Sequence, residues 1–162
     1  EANLEEAVLT QAILAEASLS RAKLLAVEMP QTNLDNANLT NALMNGANLQ
    51  GASLVAALLS GANLEEANLE TADLSRAKMT GSNLVQVNLS RANLRGTNLS
   101  WSSLRGANLR GATLYRTKLS WSNLSGADLT DAVMINAKLD QANLRHTDVH
   151  GTVFPDGFTQ QG

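Results

Sequence analysis

A chain of 162 residues is sized for one domain, and with no cysteine it can form neither a disulfide framework nor a thiolate metal site. Two tryptophans, one tyrosine and two phenylalanines are a thin inventory for an aromatic-lined pocket, and no apolar run approaches the ~18 residues of a membrane span. The net charge of −3 is too small to name a partner.

From residue 4 to residue 154 a single register governs the chain. Every fifth position gives 31 sites, of which 25 are Leu; the others are Met29, Met44, Met79, Met134, Val149 and Phe154. Two places before each, 21 of the 31 residues are Ala and the rest are small or β-branched, as at Val27, Thr32 and Ser82. On a helix, five residues advance about 140°, so the leucines would spiral round the cylinder without forming a stripe. On a flat strand an odd period throws each Leu to the opposite face. The surviving reading is a chain that bends in every repeat and points each Leu and each small residue into one long interior. Nine of the eleven glycines, among them Gly46, Gly51 and Gly126, fall two residues after a core position, which predicts a tight turn there. Asn or Asp dominates the slot just before the core residue, where a short amide or carboxylate can bond nearby backbone.

Ala-Asn-Leu-Gln-Gly (47–51), Ala-Asp-Leu-Ser-Arg (72–76) and Ala-Asn-Leu-Arg-Gly (107–111) carry a resemblance to the pentapeptide repeat family, of the cyanobacterial type, and the match runs over residues 1–154. The resemblance implies an all-β fold, a right-handed quadrilateral β-helix with four pentapeptides per coil. Thirty-one repeats then make about 7.75 coils of 20 residues, a rod of ~37 Å at ~4.8 Å per coil. Residues 155–162 are left as a C-terminal tail or cap. With 20 residues per coil, Ser20, Thr40, Ser60, Thr80, Ser100 and Ser120 share one column, Asn48, Asn68, Asn88, Asn108, Asp128 and Asp148 another, and Trp101 lies over Trp121.

Charge changes along the rod. Residues 1–75 hold ten acids and two bases, and residues 128–162 hold five acids and two bases. Between them residues 76–127 hold eight bases and no acid. Arg91, Arg95 and Arg116 fall in neighbouring columns, whereas Arg105 and the Trp pair fall on another side, so the positive charge reads as a ring. A ring is a poor phosphate track, and nucleic acid is not the expected partner. A patch for a protein is the expectation, with Leu25, Leu43, Arg91, Arg95, Trp101, Arg105, Tyr115, Arg116 and Trp121 as candidate contacts; Val55 and Leu58 are further outward apolar residues. Some members of the resembled family are acidic rods that mimic duplex DNA and bind DNA gyrase. Here Glu5, Glu6, Glu16, Asp35, Glu65, Glu66, Glu70 and Asp73 supply only half a rod of negative charge.

Chemistry is sparse. Asn38-Leu-Thr40 and three like triplets match a glycosylation acceptor, but a five-residue period generates them automatically. His146, Asp148 and His150 have no third nitrogen or sulfur ligand elsewhere, so no metal or cofactor is expected. With those two histidines as the only imidazoles, no base–nucleophile pair is evident, and no catalytic residue is assigned. The reading is a non-enzymatic structural or interaction module, monomeric or paired end to end. At the C-terminal end Phe154 takes the core slot, Pro155 breaks the ladder, and Phe158 is placed to cap the last layer or to contact a second copy. The first residue is Glu1, which reads as a chain from which a cap or preceding domain has been removed. No signal peptide is visible; the cytoplasm is the expected compartment, with the periplasm or thylakoid lumen as the alternatives if a leader was cleaved.

Overall fold

Turning every fifth residue commits the backbone to an unusual conformation, and the computed structural model, which describes residues 2–158, shows how it is met. The remaining residues of the expected tail, 159–162, and Glu1 lie outside the described residues. Every bridge, from Asn3↔Lys23 to Val133↔Val153, is parallel and joins residues 20 apart. Four turns separate each residue from its bridge partner, so the chain winds as a four-sided coil whose layers stack along one axis. Each side contributes one bridged residue, the one before the core position, and no longer strand forms among the described residues. Nor is any helix there long and apolar enough to cross a membrane.

The corner is a four-residue turn. The core residue's carbonyl accepts from the N–H three residues on, as in Ala7→Leu4 (3.1 Å) and Ala67→Leu64 (3.0 Å). The third residue of each turn, from Glu6 to Gly151, has φ between +49° and +69°. That is the left-handed region a type II turn requires, and it costs an ordinary L-residue roughly 1–2 kcal/mol. Nine of those positions are glycine, which the sequence pattern anticipates; twenty-one are not, including the β-branched Thr71.

Hydrogen bonding offsets the strain. In each interior pentapeptide the core N–H and the third-turn N–H donate to the following coil, as in Leu64→Asn83 (2.7 Å) and Glu66→Val85 (3.0 Å). The residue before the core donates to the preceding coil, as in Asn63→Ala42 (2.9 Å). Only the N–H just after the core position lacks a backbone acceptor. Wherever Asn or Asp precedes the core residue, its Oδ1 accepts that N–H: Asn33 takes it from Asp35 (2.9 Å), Asn83 from Val85 (3.2 Å), Asp128 from Thr130 (2.9 Å). The amide at this slot is therefore the acceptor for the one backbone donor the coil cannot use.

Inside, the Leu, Met and Ala positions from Ala22 to Met134 are buried almost without exception, forming one continuous column. Where Ser or Thr replaces Ala, the hydroxyl donates to a core carbonyl, on the neighbouring coil for Thr32→Leu9 (2.9 Å), Thr97→Leu74 (2.7 Å) and Thr117→Leu94 (2.6 Å), and within its own turn for Ser122→Leu119 (2.6 Å) and Thr147→Leu144 (2.7 Å). Each thereby occupies the second lone pair of an oxygen already accepting a turn bond. Outside, the two expected ladders differ. Asn108 donates to Asn88 (3.2 Å) and Asn88 to Asn68 (3.1 Å), so the amide column is bonded from coil to coil. In the hydroxyl column, Ser20 donates to the Thr40 carbonyl and Ser120 to Asp140, and no hydroxyl-to-hydroxyl chain runs between them.

Two substitutions check this arrangement. Leu84→Asp places an unpaired carboxylate in a fully buried site and is expected to remove more than about 4 kcal/mol, abolishing cooperative unfolding by circular dichroism. Asn88→Leu removes the acceptor of the Ser90 N–H and is expected to cost about 1 kcal/mol in a denaturant titration, whereas Asn88→Asp keeps that oxygen and costs less.

Candidate interaction surface

Because residues 20 apart stack, each side and corner of the rod is a column readable from the sequence once the bridges fix the coil. The first side carries residues 43, 63, 83 and 103; the second 48, 68 and 88; the third 53, 73 and 93; the fourth 58, 78, 98, 118 and 138. The turn pairs form the corners between them.

On this frame the positive charge is not a ring. Arg91 and Arg110 lie on the corner between the second and third sides. Arg76, Arg95 and Arg116 lie on the corner between the third and fourth, and Lys78 and Lys118 in the fourth-side column, with Lys138 above them. Only Arg105 sits apart, on the corner between the first and second sides. Seven of the eight bases thus share two adjoining sides; the ring expectation missed this because the two lysines were not placed with the arginines.

Within that surface, two guanidiniums lie over the Tyr115 ring: the Arg95 Cζ is 4.6 Å and the Arg116 Cζ 5.0 Å from its centroid. Arg76 leans upward, its Cγ 3.8 Å from where a Cβ on Gly96 would stand, an ordinary contact distance. Trp101 and Trp121, on the corner between the fourth and first sides, stack with centroids 5.0 Å apart and planes within 2°. Both stay exposed, at 63% and 53%, and below Trp101 a Cβ on Gly81 would meet nothing within 4 Å. The one ion pair among the described residues is Arg110 Nη1 to Asp128 Oδ2 at 3.2 Å. Burial pushes the Asp128 carboxyl up, but bonds from Thr130 and Arg110 outweigh it and hold the group below the usual aspartate range.

The other expected contacts lie elsewhere. Leu43 is on the first side and Leu25 on the corner between the first and second sides, both low in the rod; Arg105 stands in the Leu25 column four coils higher, and Arg91 is on the corner between the second and third sides. The sequence reading passed over Val8 and Ile13, 73% and 83% exposed on the first coil, and Ile135 and Val153 near the last. Their signal was present: Val8, Ile13 and Val153 are aliphatic residues in the slot that Asn and Asp favour, and Ile135 is one in an outward turn position. At the C-terminal end Pro155-Asp156-Gly157-Phe158 forms a turn with Phe158 N–H donating to the Pro155 carbonyl (3.1 Å). It lays the Phe158 ring on Phe154, centroids 4.7 Å apart. His146 and His150 stand at opposite corners of the second side, and Asp148 Oδ1 accepts the His150 backbone N–H.

Comparison with known proteins identifies the repeat. The model of the pentapeptide repeats matches in eight copies between residues 2 and 151. Curated proteins give no match of significance. Among solved structures, the chain is similar to HetL of the cyanobacterium Nostoc sp. strain PCC 7120, a protein involved in heterocyst differentiation regulation. The identity is 29%, over 98% of this chain and 92% of that one, with a TM-score of 0.37. It is similar to Rfr23 of the cyanobacterium Cyanothece 51142 at 35% identity, over 60% of this chain and 63% of that one, with a TM-score of 0.33. A trypsin-treated form of QnrB1, a plasmid-mediated fluoroquinolone resistance protein, matches at 21% identity over 96% of this chain and 83% of that one, TM-score 0.44. A five-residue register held over the length of the chain, buried Leu layers and a matching repeat model lead to one assignment: the chain belongs to the pentapeptide repeat family.

Proposed function

We propose that this chain is a non-catalytic rod, a right-handed quadrilateral β-helix of about 7.75 coils over residues 1–154 with a tail at 155–162, which presents its sides to a protein partner. The observation that carries the reading is the division between inside and outside. From Ala22 to Met134 the inward positions are uniform and buried, so packed Leu, Met and Ala side chains fill the space where a substrate would have to sit. Outward positions vary freely, and the departures from the repeat gather Arg, Tyr and Trp on the upper half of the fourth side and its corners. Those residue types dominate the energetics of protein interfaces. A shallow depression of about 240 Å³ at the C-terminal end, lined by Leu139, Asp140, Pro155 and Phe158 among others, offers carboxylates but no histidine or lysine beside them.

The alternative from the family resemblance, a DNA-mimicking binder of DNA gyrase, needs an unbroken negative side, and the bases from Arg76 upward interrupt it. Capture from a lysate by immobilised rod tests the main reading. A discrete protein should be retained, and Arg116→Ala with Trp121→Ala should weaken its capture about tenfold or more, while Leu25→Ser with Leu43→Ser leaves it unchanged. Capture of nothing that depends on Arg116 and Trp121, or inhibition of gyrase supercoiling at micromolar rod, contradicts it.

A further inference from the structure

The corner between the third and fourth sides carries an ordered change of charge. Ascending coil by coil it reads Glu16, then Asp35, then Val55 and Ala56, then Arg76, then Arg95. Negative residues occupy two coils, neutral residues one, and positive residues two, so the series becomes its own complement when reversed. The adjoining fourth-side column has the same centre: Ser18, Asn38, Leu58, Lys78 and Asn98. On the far corner the series is Arg21, Asn41, Gly61, Gly81 and Trp101.

We propose that the fourth side is a self-complementary surface on which a second copy of this chain docks antiparallel, with a two-fold axis crossing the coil of Leu58. A two-fold axis lying across this side reverses the rod direction and sets each corner against its own copy. Leu58 then meets Leu58, flanked by Val55 and Ala56, and Gly61 faces Gly61 with no side chain between them. One coil out, Asp35 opposes Arg76 and Asn38 opposes Lys78. Two coils out, Glu16 opposes Arg95, and Arg21 reaches the exposed ring of Trp101, an arrangement suited to cation–π contact. No like charges oppose in this register. A slip of one coil upward sets Lys78 against Leu58 and forfeits the apolar centre, so the register is specified by its middle. None of these arginines has a carboxylate partner within its own chain among the described residues, where the sole ion pair uses Arg110. Arg116 and Trp121 lie above the overlapped coils, so this pairing is separate from capture of a different protein.

Sedimentation equilibrium tests it. The expected result is a dimer at about 50 mM salt whose dissociation constant rises about tenfold or more by about 500 mM, because exposed charge pairs are screened. Arg76→Glu with Arg95→Glu should be monomeric, and so should Glu16→Arg with Asp35→Arg, while an equimolar mixture of the two double variants should restore a dimer. Leu58→Lys should also be monomeric, since the axis sets both new lysines face to face. Lys78, Lys118 and Lys138 occupy that same column, so the substitution fits the fold. Unfolding midpoints near that of the parent confirm that each variant is folded. A chain that stays monomeric at low salt, or a dimer indifferent to Leu58→Lys and to both charge reversals, overturns the proposal, whether or not Arg116 and Trp121 capture another protein.

Discussion

A backbone that changes direction every five residues must still satisfy nearly all its N–H and C=O groups, and that requirement shapes everything else in the molecule. Neither of the standard arrangements is available: the turns come too often for a strand to propagate and too regularly for a helix. The solution is to bond between coils, two donors to the coil above and one to the coil below, with a fourth closing the turn. It holds only if every coil has the same length. One inserted residue would break the register of the coils on both sides, and no such slip occurs between residues 4 and 154.

The side chains follow from that frame. Leu fills the interior because one aliphatic group per side, from four sides, closes the section; the slot beside it takes a small group, mostly Ala, with Val, Ser or Thr admitted at places such as Val27, Thr32 and Val87. Asn and Asp stand before the core residue because the fifth N–H needs an acceptor, and Gly favours the corner because φ there is positive. What remains free is the outward face of the sides and corners. Function in such a rod is therefore a matter of which outward groups the columns bring together, and here they bring arginines over a tyrosine and one tryptophan onto another.

The interior was legible in the sequence because its signal is redundant: thirty-one repetitions of one apolar position leave a single consistent geometry. The surface was less legible, since each outward residue occurs once and gains meaning only from its column. Arg91, Arg95 and Arg116 were placed together, but Lys78 and Lys118 belong with them, and the supposed ring resolved into two adjoining sides. Val8 and Ile13 went unremarked because a lone aliphatic residue in a polar slot looks like ordinary variation until it is seen on the open first coil. The hydroxyl column from Ser20 to Ser120 shows the opposite error, since likeness of residue type did not produce a bonded chain.

Amide hydrogen exchange, resolved residue by residue, tests the frame most directly. In the middle coils the N–H groups of Leu64, Glu66, Ala67 and Asn68 should all be strongly protected, giving a pattern that repeats every five residues. The N–H groups of Asn45, Ser60 and Thr80 follow Leu43, Leu58 and Lys78 in the slot, donate to no acceptor among the described residues, and should exchange fastest. Those of Val85 and Ser90, held by Asn83 and Asn88, should be slower. Protection that ignores the five-residue beat, or that is no weaker at Ser60 than at Val85, would contradict the coil described.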